Sequence, residues 1–278
     1  MQIRKIAIAA GATVALTALA ACSSSGGTST TGTDGSGKFK VGIKFDQPGL
    51  GLKDGSTYSG FDVDVAKYVA KELGHDPATI EWVQTPSPQR ENMIKSGQVD
   101  MIVATYSITD KRKNDVSFAG PYFIAGQDLL VKADNTSITG PDTLVGKNLC
   151  SVKGSTPAQN LKAKYPEVSL AEYDTYSKCV EALASGAVDA LTTDDTILAG
   201  YAAQAAYKGK LKVVGKPFST ENYGIGIKKG DVALCEKINT ALKKMVSDGS
   251  WQKAVDANLG PAGYKPGSNN PPTPAACS

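Results

Sequence analysis

The sequence predicts an α/β protein of two lobes, each built on a mostly parallel sheet with helices packed against it. Two observations carry this. Ser96-Gly97-Gln98-Val99-Asp100-Met101-Ile102-Val103-Ala104-Thr105 is echoed 89 positions later by Ser185-Gly186-Ala187-Val188-Asp189-Ala190-Leu191-Thr192-Thr193-Asp194. Each copy follows a helix-like stretch, turns on Ser-Gly and runs into a short apolar strand that ends on a polar residue. Strand and helix patterns also alternate along the rest of the chain, as in sheets joined by helical crossovers. Ligands of open α/β sheets sit beyond the carboxyl ends of the strands, the place that Thr105 and Asp194 occupy. A small ligand held between two such edges is the expectation.

Ahead of the lobes, Arg4 and Lys5 precede an uncharged apolar run, Ile6 to Ala20. This reads as a secretory signal over residues 1–21 and is too short for a membrane span. Leu19-Ala20-Ala21-Cys22 resembles the bacterial lipoprotein processing box, which implies a lipid on Cys22 and a membrane anchor; ordinary cleavage after a small-residue site is the alternative. Residues 22–37, rich in Gly, Ser and Thr, read as a flexible tether.

The first strand is expected over Phe39 to Phe45, where apolar and polar residues alternate. Phe61, Val65, Val69 and Leu73 recur every fourth residue, an amphipathic helix that Gly74 stops. A strand over Ile80 to Val83, a helix over Pro88 to Ser96 and the first Val-Asp strand follow, then a polar turn or short helix over Thr109 to Asn114. The second unit repeats the order: strand Asn148 to Val152, helix Pro157 to Lys164, strand Val168 to Ala171, helix Tyr176 to Ala184, strand Ala190 to Thr193, helix Asp195 to Ala206 and strand Leu211 to Val214. Tyr223 to Ile227 reads as a strand returning to the first lobe, followed by helices over Val232 to Val246 and Ser250 to Asn258. Pro266 to Pro274 is expected to be loop, mobile unless Cys277 ties it down.

Five cysteines less an acylated Cys22 leave Cys150, Cys179, Cys235 and Cys277. An even remainder in an exported chain favours disulfides, and four cysteines allow three pairings. Cys150 with Cys179 and Cys235 with Cys277 is the expected set, the second fastening the Pro-rich tail. The spacings fit neither a zinc nor a redox site. The signal holds two of the 30 basic residues and none of the 27 acidic ones, so the remainder is nearly neutral, and with no basic run it points away from nucleic acid. His75, the single histidine, stands in a Gly-His-Asp-Pro turn and reads as surface. No Ser-His-Asp or Cys-His arrangement is expected, no phosphate loop has the right spacing, and no metal or cofactor is expected.

Gly60-Phe61-Asp62-Val63-Asp64-Val65-Ala66 resembles the GFDvDla signature of the family 3 extracellular solute-binding proteins. The family's blocks continue in order with Ser96-Gly97-x-Val99-Asp100, Ser107-Ile108-Thr109-Asp110-Lys111-Arg112, Phe118-Ala119-Gly120-Pro121-Tyr122, Lys153-Gly154-Ser155-Thr156, Val188-Asp189-Ala190 and Tyr223-Gly224-Ile225-Gly226. The likeness spans about residues 38–262. Lys44-Phe45-Asp46-Gln47-Pro48-Gly49-Leu50-Gly51, Leu149-Cys150-Ser151-Val152 with Gly154 to Gln159, and Tyr173 to Leu183 resemble glutamate-binding lipoproteins of actinobacterial ABC importers. The resemblance implies the two-lobed periplasmic-binding-protein type II fold, with a two-segment hinge near Tyr122–Gly126 and Ser219–Tyr223. Lobe 1 would take residues 38–122 and 224–262, lobe 2 residues 127–219, and 263–278 would be a tail. It further implies hinge closure on a ligand, ABC permease subunits as partners, a monomeric state and a place on the extracellular face of the membrane.

The resemblance also implies residue roles. Arg112 matches the arginine that grips the ligand α-carboxylate through a planar fork, although by composition alone it is a solvated charge in a Thr-Asp-Lys-Arg-Lys run. Thr105 and Ser107 match hydrogen-bonding positions of the first lobe, and Ser155 and Thr156 carboxylate contacts of the second. Asp194 matches the carboxylate that receives the ammonium, with Asp195 as its rival. Arg90 matches an arginine for a distal carboxylate, Lys44 could add a second positive charge or lie at the surface, and Gln47 is a further contact. Gly49 replaces the family's usual stacking aromatic, which fits a nonaromatic ligand. The reading is a binding subunit for an acidic L-amino acid, glutamate above all, and no catalysis. A glutamine or aspartate binder, an exported dehydratase on the same fold and a sensory module are the alternatives.

Overall fold

The structure is a computed structural model that describes residues 38–277. The signal segment, Cys22, the tether through residue 37 and Ser278 lie outside the described residues. The chain opens with β1 (Lys40–Ile43), then a hairpin sheet of β2 (Asp46–Gln47), β3 (Gly51–Asp54) and β4 (Thr57–Ser59). α1 (Phe61–Glu72), β5 (Glu81–Gln84), α2 (Arg90–Lys95), β6 (Met101–Ile102), the one-turn α3 (Asp110–Lys113) and β7 (Ser117–Ala125) complete the first pass. The second lobe holds β8 (Gln127–Lys132), β9 (Asn148–Val152), α4 (Thr156–Lys164), β10 (Ser169–Tyr173), α5 (Tyr176–Ser185), β11 (Ala190–Asp194), α6 (Asp195–Ala203) and β12 (Leu211–Val213). β13 (Glu221–Ile227) rejoins the first sheet, and α7 (Val232–Ser247) and α8 (Ser250–Asn258) close the chain.

The two sheets share one plan. Their orders are β5-β1-β6-β13-β7 and β10-β9-β11-β8-β12. In each, the first two pairings are parallel and the last two antiparallel. The sheets are thus mixed: β13 and β8 run against the helix-connected strands, and β7 and β12 beyond them run the same way as those strands. The sequence reading has no strand over 117–132, since that stretch lacks the helix–turn–strand grammar that marks the others. It also has no hairpin over 46–59, although Asp54-Gly55 is a two-residue turn signal.

Gly126 is the joint between β7 and β8. A Cβ there would lie 2.6 Å from Pro217 Cβ, so the second crossing segment packs directly on it. Phe218 N donates to Gln127 O at 2.8 Å and Gln127 N to Ser219 Oγ at 3.0 Å, tying the two crossings together. On the first-lobe side, β7 is anchored by rings. Phe123 lies 5.4 Å from Phe61 and 5.9 Å from Trp251, whose Nε1 donates to Tyr122 O at 2.9 Å. All four side chains are buried, and burying each aromatic contributes about 1.5–3 kcal/mol. α1 supplies Phe61 because its apolar residues share one face, while Asp62 and Asp64 favour its positive end.

Cys150 of β9 is bonded to Cys179 of α5, and Cys235 of α7 to Cys277. The tail is ordered along β7, an edge strand. Asn270 both accepts from Ile124 N at 2.9 Å and donates to Ile124 O at 2.8 Å, and Ala275 N donates to Gly120 O at 2.8 Å. These bonds cover polar groups that an open edge would expose.

Candidate ligand-binding site

A narrow cavity of about 10 Å³ lies where the carboxyl ends of both sets of parallel strands converge. From the first lobe it is lined by Gln47, Ser87, Arg90, Thr105, Ser107 and Arg112. The second lobe contributes Ser155, Thr156, Pro157, Tyr176, Asp194 and Ile197. Eight of the nine ligand positions expected from the sequence therefore face one space. Lys44 does not: its buried ammonium is 3.7 Å from Asp46 Oδ1 and 5.9 Å from the Tyr176 ring centroid. Burial lowers its pKa to about 8, with Asp46 opposing. Ser87, Arg112 and Thr156 also line a wider groove of about 260 Å³, so the cavity adjoins open solvent there.

Arg112 is aimed inward by the single turn of α3, which Thr109 caps through its hydroxyl. Nη1 donates to Ser107 O at 2.8 Å and to Thr156 Oγ1 at 2.9 Å, and Nε lies 3.4 Å from Glu91 Oε1. Glu91 also accepts from Tyr106 OH at 2.8 Å. The Tyr106 ring centroid is 4.9 Å from Arg112 Cζ and 5.0 Å from Arg90 Cζ. One aromatic ring thus attracts both cations. Burial and the nearby Arg112 charge hold the Arg90 pKa below its usual range. Two buried guanidiniums this near each other favour anions between or beside them.

Asp194 ends β11 and offers the opposite charge. Its Oδ2 accepts from Tyr223 OH at 2.7 Å, while Oδ1 is buried without a hydrogen-bond partner among the described residues. Burial, then the charge of Glu221, raises its pKa well above the carboxylate range. An ammonium placed at Oδ1 would restore the ionised form. Asp195 is engaged elsewhere, accepting from Gly126 N at 3.3 Å, Thr196 N at 2.8 Å and Tyr264 OH at 3.1 Å. Gln47 Nε2 and Thr193 Oγ1 are likewise buried without partners among the described residues.

Thr105 is held at φ 46°, a left-handed conformation that costs a β-branched residue about 1–3 kcal/mol. Asp62 maintains it, accepting from Thr105 N at 2.9 Å and from Tyr122 OH at 2.7 Å. Burial pushes the Asp62 carboxyl up to about 6, with both hydrogen bonds opposing. Ser155 caps α4, its Oγ accepting from Ala158 N at 3.2 Å, so the positive end of that helix lies at the cavity wall beside Arg112.

Asp62, Glu91, Tyr106, Tyr176 and Tyr223 shape this site without having been expected in it. Asp62 stands in the Gly-Phe-Asp block, Tyr223 opens the Tyr-Gly-Ile-Gly block and Tyr176 lies in the Tyr173 to Leu183 stretch, but no block assigned them to the site; all five meet there through tertiary packing. His75 is exposed and stacks on Phe39 with centroids 4.0 Å apart, remote from the cavity lining. Among the described residues no group of three or more His, Cys, Asp or Glu side chains forms a metal site. The assembled charges can hold a small zwitterion: its carboxylate by Arg112 and the α4 terminus, its ammonium by Asp194, and a second anion by Arg90.

Comparison with known proteins gives a consistent picture. Residues 39–261 match the bacterial extracellular solute-binding proteins, family 3. The chain is 51% identical over 267 residues, 90% of each chain, to the glutamate-binding protein GluB of Corynebacterium glutamicum. It is 42% identical to the ABC transporter glutamine-binding protein GlnH of Bacillus subtilis, covering 78% of this chain and 79% of that protein. Among solved structures, an ancestral arginine-binding protein bound to glutamine superposes with a TM-score of 0.74 at 37% identity, covering 81% of this chain and 98% of that one.

Proposed function

We propose, for a chain that belongs to the bacterial extracellular solute-binding proteins of family 3, that its ligand is an acidic L-amino acid, L-glutamate in the first place. It is a binding protein and not an enzyme. The observation that carries the ligand assignment is the charge set of the cavity: Arg90 and Arg112 from one lobe, Asp194 from the other. An amino-acid zwitterion uses one cation and one anion, and glutamate supplies the additional anion for the second guanidinium. Arg112 receives the α-carboxylate, Asp194 and Thr105 the ammonium, Ser107, Ser155 and Thr156 further hydrogen bonds, and Arg90 with Gln47 the side-chain carboxylate. The names of the curated relatives, glutamate-binding and glutamine-binding, support an amino acid of this length.

In this reading Cys22 carries the lipid that holds the monomeric protein at the extracellular face of the membrane, and the loaded form delivers its ligand to an ABC permease. Lobe 1 comprises residues 38–122 and 224–262, and lobe 2 residues 127–219. A thermal-shift screen of the twenty amino acids tests the ligand: glutamate should raise the melting temperature most, since a ligand specific to the folded form stabilises it. A larger shift with glutamine would replace the acidic ligand by its amide.

A further inference from the structure

Asp46 belongs to the first-lobe hairpin, yet the second lobe engages its carboxylate. Oδ2 accepts from Tyr176 N at 2.9 Å and from Ser177 N at 3.3 Å, the first two amides of α5. The helix's own cap, Thr175, takes the amide of Lys178. The open donors of the α5 terminus are thus divided between a residue of its own lobe and one from across the cleft. Two further contacts join the same hairpin to α6. Tyr201 OH donates to Asp46 O and lies 3.3 Å from Asp46 Oδ2. Pro48 O approaches α6 so closely that a Cβ on Gly200 would lie 2.1 Å from it. Lys44 sits on the remaining oxygen at 3.7 Å, and Asp46 is 13% exposed.

We propose that Asp46 is a positioning residue that sets how long the ligand stays bound, by latching the hairpin of one lobe onto α5 and α6 of the other. The latch rests on the binding function proposed above and adds to it. Tyr176, whose amide Asp46 holds, lines the cavity, so the latch fixes that wall while touching no ligand itself. A contact made only with the lobes together adds its free energy to the bound state and acts on dissociation. A carboxylate at a helix N-terminus contributes more than a neutral acceptor, because the helix dipole favours the negative charge. Gly200 permits the approach, since any side chain there meets a carbonyl oxygen.

The test follows L-glutamate by stopped-flow on the full chain. Asp46→Ala should speed dissociation by roughly 5–30-fold and leave the association rate nearly unchanged. Asp46→Asn should fall between the alanine variant and wild type. Gly200→Ala, which keeps every Asp46 group, should speed dissociation by pushing Pro48 away. Wild-type dissociation in Asp46→Ala, or a loss confined to association, overturns the latch. If wild type binds no amino acid, the ligand assignment fails on its own, and the latch is decided by small-angle X-ray scattering. A larger radius of gyration for both variants than for wild type supports it, and identical profiles overturn it.

Discussion

Arg112 donates to the hydroxyl of Thr156 at 2.9 Å across the cleft. The same nitrogen reaches Ser107 O at 2.8 Å in its own lobe, so one guanidinium joins both walls of the cavity. Its position is fixed from behind by Glu91 and the Tyr106 ring.

Arg112→Ala should reduce glutamate binding by roughly 30- to 5000-fold, from the 2–5 kcal/mol lost with one member of a buried charge pair. Arg112→Lys should also bind poorly, because an ammonium lacks the planar fork. Titration calorimetry reads the affinity, and circular dichroism should show an intact fold. Tight binding by either variant refutes the carboxylate role.

Arg90→Met should weaken glutamate by at least about tenfold more than glutamine, since only glutamate places a charge beside that guanidinium. The comparison uses calorimetry on both ligands. Equal losses would remove Arg90 from side-chain recognition.

Burial holds the Asp194 carboxyl above the usual range, so it begins to take up a proton at higher pH than an ordinary aspartate. Binding an ammonium needs the ionised form. Glutamate affinity should therefore fall as pH is lowered through the Asp194 pKa, by about tenfold per unit below it. Affinity measured at several pH values checks this, with Asp194→Asn binding weakly and with a flatter profile.

The Asp62 carboxyl is raised from 3.8 to about 6. Its contribution to stability is present in full below the unfolded value and is lost as pH rises through the folded one, a change of about 3 kcal/mol. Asp62→Asn can still accept from Thr105 N while its amide faces Tyr122 OH. Urea unfolding between about pH 4 and pH 7 should therefore show a smaller pH slope in the variant than in wild type.

The Cys235–Cys277 bond spans 42 positions and fastens the tail to β7. A Cys235→Ser, Cys277→Ser double variant should lose about 3–4 kcal/mol by loop entropy. Hydrogen exchange should speed at Ile124, whose amide donates to Asn270, relative to Gly224 of the neighbouring β13, whose amide donates to Tyr106 O at 2.9 Å. Unchanged protection at Ile124 would show that the tail holds without its bridge.

The repeated Ser-Gly-x-Val-Asp blocks mark the two parallel strands β6 and β11, because the turn and the following apolar run are local features. Of the residues that line the cavity, Thr105 and Asp194 were legible from their place at strand ends, and Gln47, Arg90, Ser107, Arg112, Ser155 and Thr156 through the family likeness, since Arg112 by composition alone is a solvated charge. The roles of Tyr176 and Tyr223 were not, since a tyrosine at a helix start or within a strand carries no local mark of its partner until its hydroxyl finds Asp194 or its ring reaches a ligand wall. The small sheet carrying Asp46 was missed although Asp54-Gly55 marks the turn between its second and third strands, because its strands are only two to four residues long.

By itself, the order of residues determined the two-lobed α/β plan, the family likeness and a charged, polar site at paired strand ends. Tertiary structure alone decided which charges meet. It set Lys44 against Asp46 and away from the cavity, Asp195 against the hinge, and Asp194 toward the cavity with an unpaired oxygen. Local pattern fixes where a side chain stands along an element. The pairing of charges depends on distances between segments far apart in the chain, and those exist only once both lobes have packed.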